Sequence, residues 1–176
     1  NCLPQENSNH SAITLEDLVD SAWSSIAPLA EERQVTLRFN RSEAGPMLGD
    51  EQRLHRAVLN LLDNALRYSP SGSFVDVEVA QSGGLWLLSI RDHGPGLSEA
   101  DLGKMFQRFY RGDPSRARSA RSGSGLGLAI AQQIAINHGG RVEARNQSSG
   151  GACMKLLLPK AETVSYTHLR AHETAC

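Results

Sequence analysis

The sequence predicts an α+β fold: a two-layer sandwich in which about three helices cover one face of a mixed, mostly antiparallel sheet. Three observations predict it. Strand-like segments come in pairs joined by short turns. Segments with a single apolar stripe at helical spacing fall between those pairs. The chain has 176 residues, 40% of them hydrophobic and 21% charged, which is enough for one well-filled core and tight for two domains.

Residues 1–13 are polar and irregular and read as a linker. Thr14 then opens a helix, with Asp17 three residues on as a capping-box-like partner. Leu15, Leu18, Val19, Ala22, Ile26 and Leu29 supply its buried stripe. "VTLRF" (35–39) alternates and reads as a strand, and "PML" (46–48) suits a second, shorter one. A helix from about Glu51 to Tyr68 follows, with Leu54, Val58, Leu61, Leu62 and Ala65 on its apolar face, and "SPSGS" stops it. "FVDVEVA" (74–80) and "LWLLSIRD" (85–92), joined by Gly83-Gly84, predict a hairpin.

From Gly94 to Gly125 regular patterning weakens, apart from one short helical piece expected around Leu102–Phe109. A Ser-, Gly- and Arg-rich stretch inside a domain of this size is usually functional or mobile. Helical periodicity resumes at about Leu126 with Leu128, Ile130, Ala131, Ile134 and Ala135, and Gly139-Gly140 ends it. "RVEAR" (141–145) and "ACMKLLL" (152–158) are closing strands around the turn "NQSSGG". Residues 160–176 lack either periodicity and read as an appended tail, native or artificial. Its His168 and His172 stand at the i, i+4 spacing a metal pair can use, although an exposed tail accounts for them as well.

Composition excludes several classes of function. A net charge of −1 gives no global attraction to nucleic acid or to a membrane surface. Cys2, Cys153 and Cys176 have neither metal nor CxxC spacing, and their odd number fits a reducing compartment. The longest apolar run, "LWLLSI" (85–90), is far too short to span a bilayer. The chain opens at Asn1 without a methionine, so a fragment is expected, with any membrane anchor upstream.

Four segments carry candidate chemistry. On the helix ending at Tyr68, Asn60, Asn64, Arg67 and Tyr68 gather on a second, polar face. Asparagine is a poor helix former because its amide competes with backbone hydrogen bonds, so two of them one turn apart call for a reason. An amide oxygen suits a Mg²⁺ ion that already shares its charge with phosphates, and Arg67 could pair with a phosphate oxygen. An ordinary solvated face remains the plain alternative.

In "RDHGPGL" (91–97), Asp92 ends an apolar strand, and Gly94 and Gly96 allow a sharp turn and a close approach. A carboxylate fixed there would accept from an exocyclic amine such as adenine N6 and would repel phosphates. In "FQRFYRGD" (106–113) the phenylalanines are packing anchors, whereas Arg108 and Arg111 either reach phosphates or stay solvated. In "GSGLGLAIA" (123–131), Gly123, Gly125 and Gly127 lead into a helix whose free N–H groups favour an anion. The Walker pattern is excluded, because no Lys-Ser or Lys-Thr pair follows the last glycine. The dinucleotide fingerprint fails because Leu128 stands at its third glycine.

Taken in order, "NLLDNALRYSP", "DHGPGL", "FQRFYRG" and "GSGLGLAIAQQIAINHGG" resemble the N, first glycine, F and second glycine boxes of the catalytic ATP-binding domain of bacterial sensor histidine kinases. The wider superfamily includes gyrase, chaperone and mismatch-repair ATPases. The resemblance covers roughly residues 14–158 and implies a Bergerat-type fold for a catalytic domain at 14–159. It implies that Asn64 ligates Mg²⁺ with Asn60 in support, that Arg67 contacts phosphate and that Tyr68 lies against adenine. It further implies that Asp92 accepts adenine N6–H above a floor shaped by Gly94 and Gly96. Residues 112–122 would form a lid over the ATP, and Gly123, Gly125, Leu126 and Gly127 would cradle phosphates.

The family's phospho-acceptor, a histidine followed by an acidic residue and then a proline, matches none of the six histidines. His10 lies in the linker and His55 within the polar-faced helix, while His93 and His138 suit turn or packing roles. The acceptor is therefore expected on a dimerisation domain upstream of residue 1. The activity implied is transfer of the ATP γ-phosphoryl to that histidine, for relay to a response regulator. The full-length protein would be a homodimeric inner-membrane sensor, with this piece a cytoplasmic monomer. A nucleotide-sensing module without turnover and a serine kinase of the anti-sigma-factor type are the alternatives.

Overall fold

The computed structural model describes residues 10–42, 44–107 and 127–160. Helix α1 (Leu15–Glu32) starts at the expected cap, where the Asp17 N–H donates to Thr14 Oγ1 at 3.3 Å. Leu15, Leu18, Val19 and Ala22 of the expected stripe are buried, and Ile26 and Leu29 pack half-buried against the same core. Helix α2 (Glu51–Tyr68) is capped by Asp50, whose side chain accepts from the Arg53 N–H at 3.2 Å. Its apolar face, from Leu54 through Leu66, is at most 2% exposed. Each large aliphatic side chain buried this way contributes roughly 1.5–3 kcal/mol.

The main sheet contains β2 (Thr36–Asn40), β4 (Phe74–Ser82), β5 (Leu85–Arg91), β6 (Arg141–Asn146) and β7 (Ala152–Pro159), in the order β2-β4-β5-β7-β6. Strand β2 runs parallel to β4, and every other pairing in this sheet is antiparallel. The β4–β5 hairpin closes at Ser82↔Leu85 around the expected glycine pair. Gly83 takes a φ of +59°, the positive first position of a type II′ turn. Alternation along the strands separates the two faces. Val75, Val77, Val79, Leu88, Ile90 and Leu156 face the helices. Asp76, Glu78, Ser89, Arg91 and Lys155 line an open groove of about 570 Å³ on the other face.

Helix α4 (Gly127–Asn137) packs against α2 and ends in a Schellman motif: Gly139, at φ +79°, donates to Ile136 O and Gly140 donates to Ala135 O. Two expectations are corrected. Residues 10–13, read as the end of an irregular linker, form β1 (His10–Ile13), which pairs antiparallel with β3 (Met47–Asp50) in a separate two-stranded sheet. "HSAI" has no strand signature, so its extended form comes from the partner strand. The short helix expected at Leu102–Phe109 is α3 (Glu99–Lys104), which starts earlier because Ser98 caps it by accepting the Asp101 N–H. No described helix is long and apolar enough to cross a membrane.

Candidate functional site

The polar face of α2 is where the second and fourth sequence segments meet. Asn60 Nδ2 donates to the backbone oxygen of Gly127 at 3.0 Å, fastening the first residue of α4 to the middle of α2. One turn on, Asn64 has a buried Nδ2 with no hydrogen-bond partner among the described residues. A buried amide left unsatisfied is destabilising by roughly 1–3 kcal/mol, so an unpaired one on this face points to a missing ligand. Arg67 lies another turn on, but its guanidinium pairs with Asp63 at 3.1 Å, each side chain 31% exposed. It must share or leave that carboxylate to reach a phosphate.

At the last residue of α2 the first glycine segment arrives. A Cβ on Gly94 would sit 2.2 Å from the Tyr68 carbonyl oxygen, so only glycine fits there. Asp92 is 2% exposed, and its Oδ1 accepts from the Gly94 N–H at 2.9 Å and the Ala152 N–H at 3.3 Å. Its own N–H donates to Ala152 O at 2.9 Å, carrying the β5–β7 ladder one residue further. These bonds fix a buried carboxylate at the strand end, as the sequence suggested. Gly96 adopts φ +81°, and the Asn146 side chain reads both backbone groups of the next residue, accepting from Leu97 N–H and donating to Leu97 O.

Two residues escaped sequence reasoning. Gly151, in the β6–β7 turn, has φ +83°, and a Cβ there would come 2.0 Å from the Asp92 carbonyl oxygen. Asn146 holds the loop that contains Gly96. The turn itself was legible in "NQSSGG"; its contact with a residue some 60 positions earlier was not.

His93 and His138 take the packing roles expected of them. His138 Nδ1 donates to Ile134 O and Nε2 accepts from the Asp50 N–H at 3.1 Å, joining the end of α4 to the cap of α2. His93 contacts Asp76 at 2.5 Å, and Arg38 beside Asp76 holds that carboxyl below its ordinary range. Burial pushes the Cys153 thiol up, which leaves little thiolate for nucleophilic chemistry. Arg108, Arg111, Gly123, Gly125, Leu126, the stretch 112–122 and the tail histidines lie outside the described residues.

Among the described residues, no three His, Cys, Asp or Glu side chains converge on a possible metal position. The Asn64 side chain carries a neutral amide oxygen of the kind that suits a Mg²⁺ already ligated by phosphate oxygens, and its unpaired Nδ2 donor suits a phosphate oxygen. Asp92 fits an amine-bearing base. The N–H groups of the first turn of α4 would suit an anion.

Residues 49–162 match the family described as "Histidine kinase-, DNA gyrase B-, and HSP90-like ATPase". The chain is 46% identical over 160 residues to the sensor protein SphS of Synechococcus elongatus, covering 88% of this chain and 39% of that protein. Among solved structures, the mycobacterial sensor histidine kinase MprB superposes with a TM-score of 0.71 at 30% identity, covering 86% of this chain and 98% of that one. Full-length ShkA, solved in complex with AMPPNP, gives a TM-score of 0.74 at 26% identity, over 88% of this chain and 32% of that one. The chain spans about two fifths of the length of the curated relatives it matches first.

Proposed function

Because the chain belongs to the histidine kinase-, DNA gyrase B- and HSP90-like ATPase family, on its sensor histidine kinase side, we propose that it binds Mg-ATP and presents the γ-phosphoryl group to a histidine outside its own sequence. The observation that carries the reading is the arrangement along the last three turns of α2. Asn60 touches the start of α4, Asn64 has an unpaired amide, and Tyr68 touches the Asp92 corner. Eight residues of helix separate the two contacts, about 12 Å at 1.5 Å per residue. A nucleotide lying along that span would meet a carboxylate at its base and a helix N-terminus at its phosphates.

In this reading Asp92 accepts the adenine amine, Gly94 and Gly96 shape the floor beneath the base, and Tyr68 borders it. Asn64, supported by Asn60, would hold Mg²⁺, which when bound supplies charge neutralisation at the phosphates. Arg67 would exchange Asp63 for a phosphate oxygen. Arg108, Arg111, Gly123, Gly125, Leu126 and Gly127 complete the proposed nucleotide contacts. The chain's part in the transfer is to position the substrate and exclude competing geometries.

The acceptor belongs to a dimerisation domain, since no histidine here has the acceptor's sequence context. A response regulator is the next recipient. We place this domain on the cytoplasmic side of a homodimeric membrane sensor.

The test is incubation with γ-labelled ATP and Mg²⁺, with and without a separate polypeptide carrying the dimerisation helices and acceptor histidine. Acid-labile, base-stable label on that polypeptide alone is expected. Label on a histidine of this chain would overturn the assignment. Acid-stable label on a serine would favour the anti-sigma-factor type of kinase, and nucleotide binding without any transfer would favour a sensing module.

A further inference from the structure

We propose that His93, tethered to Asp76 and Arg38 on the helix-free face of the sheet, is a positioning residue that aims the Asp92 carboxylate and so sets the preference for a base bearing an exocyclic amine. The inference rests on reading Asp92 as the acceptor of that amine.

The argument begins with alternation. Leu88, Ile90 and Asp92 point toward the helices and are at most 2% exposed, while the residues on either side of Asp92 are engaged elsewhere. Arg91 donates from Nη2 to Ser149 Oγ at 2.7 Å and to Gly150 O at 3.1 Å, gripping the β6–β7 turn. His93 Nε2 contacts Asp76 Oδ2 at 2.5 Å. Arg38 adds a two-pronged contact to the same carboxylate, Nε to Oδ1 at 2.5 Å and Nη2 to Oδ2 at 2.8 Å. The guanidinium carbon stands 4.0 Å above the Phe74 ring centre, which fixes the fork from its other side.

Asp76 accepts throughout, so His93 Nε2 must carry a proton, as it does in either the Nε2–H tautomer or the charged ring. The histidine is thus a donor on a braced anchor built from β2 and β4.

The next residue is Gly94, whose N–H is one of the two described donors to Asp92 Oδ1. A loop released at His93 would carry that N–H away. Of the two described donors to Oδ1 the carboxylate would then keep the longer, Ala152 at 3.3 Å, and lose the shorter one that aims it. Gly151 presses on the same stretch, its virtual Cβ lying 3.2 Å from the His93 Cα. Asp92 is therefore held through both neighbours from the face opposite the nucleotide.

Calorimetric titration of the 176-residue chain with Mg-ATP and with Mg-ITP, in which a carbonyl replaces the amine, tests the inference. The unaltered chain should prefer ATP and Asp92→Asn should lose that preference. His93→Ala should weaken ATP by roughly tenfold and leave ITP little changed. His93→Gln, whose amide nitrogen can reach Asp76, should restore most of the loss. His93→Asn, too short to reach, should not, and it serves as the loss variant if the alanine substitution unfolds the chain. An unchanged ATP-to-ITP ratio in the loss variants, or an equal fall for both nucleotides, overturns the positioning role. If the unaltered chain shows no preference, or Asp92→Asn retains one, the reading of Asp92 itself fails and the inference falls with it.

Discussion

At the Tyr68 end of α2 the site is closed by backbone packed on backbone. At the Asn60 end, among the described residues, one side-chain hydrogen bond holds it. Added Cβ atoms at Gly94 and Gly151 would sit 2.2 and 2.0 Å from carbonyl oxygens, whereas one at Gly127 would, among the described residues, meet the Asn60 side chain at 3.7 Å, ordinary contact. The carboxylate at the tight end accepts from two described backbone N–H groups, and the Asn64 Nδ2 donor at the loose end has no acceptor among the described residues. In the proposed reading, the base corner has its backbone contacts already made, while the phosphate end holds a donor that a ligand would use. A pre-formed pocket for the constant part of a substrate limits the ordering cost of binding.

Gly151→Ala should break the comparison most forcefully. It combines a positive φ with a backbone clash, for an expected loss of roughly 3 kcal/mol. Urea denaturation with an unchanged slope would measure it, and a loss under 1 kcal/mol, on the same scale, would mean that the corner yields easily. Asp92→Asn should leave the fold standing and cut ATP affinity by about ten- to a hundredfold, since a charge-assisted bond contributes ~1.5–3 kcal/mol. Calorimetry reads this directly, and unchanged affinity would reduce Asp92 to a turn residue.

Asn64→Ala probes the loose end. It should weaken Mg-ATP by about tenfold and metal-free ATP far less, because in the proposed reading the lost group faces the metal. Equal losses with and without Mg²⁺ would remove Asn64 from the metal.

A pH measurement sharpens the tight end. Arg38 lowers the Asp76 pKa from its ordinary 3.8, chiefly by hydrogen bonding. A depressed carboxyl contributes stability above the unfolded value and loses it as pH falls through the folded one. Arg38→Gln should therefore be less stable than the parent at neutral pH, and the gap should close below about pH 4 in acid titration followed by circular dichroism. A gap that persists at lower pH would assign the effect to packing on Phe74. The smallest effect is expected of Gly127→Ala, within about 0.5 kcal/mol, because the contact is relaxed and alanine favours helix. Thermal unfolding would detect a larger change.

How much of this the sequence revealed depended on how local the cause was. Helix α2 was legible to within a residue because its apolar spacing lies within it and the turn that ends it follows directly. The hairpin was legible from two glycines. Strand β1 was invisible because "HSAI" becomes a strand through β3, some 37 residues away. The parallel pairing of β2 likewise belongs to the sheet and leaves no mark in "VTLRF". Within the site, Asp92, Gly94, Asn60 and Asn64 could be singled out by residue type and position. Gly151 and the Asp76–His93 contact could not, since each depends on strands meeting across the sheet. Arg67 looked available, although Asp63 one turn before it at i, i+4 spacing already offered the partner that the fold shows.

The two side-chain pins between α2 and α4 also bear on how this domain can change over evolutionary time. Asn60 holds Gly127 at one end, and His138 holds the Asp50 N–H at the other. Between the pins α2 contributes ten residues and α4 eleven, matched spans of about 15 and 17 Å. A single inserted or deleted residue in either helix would slide one pin by about 1.5 Å and swing it by about 100°, so both could not engage. Insertions are free to accumulate in the connecting loops, but the lengths of these two helices can change only together.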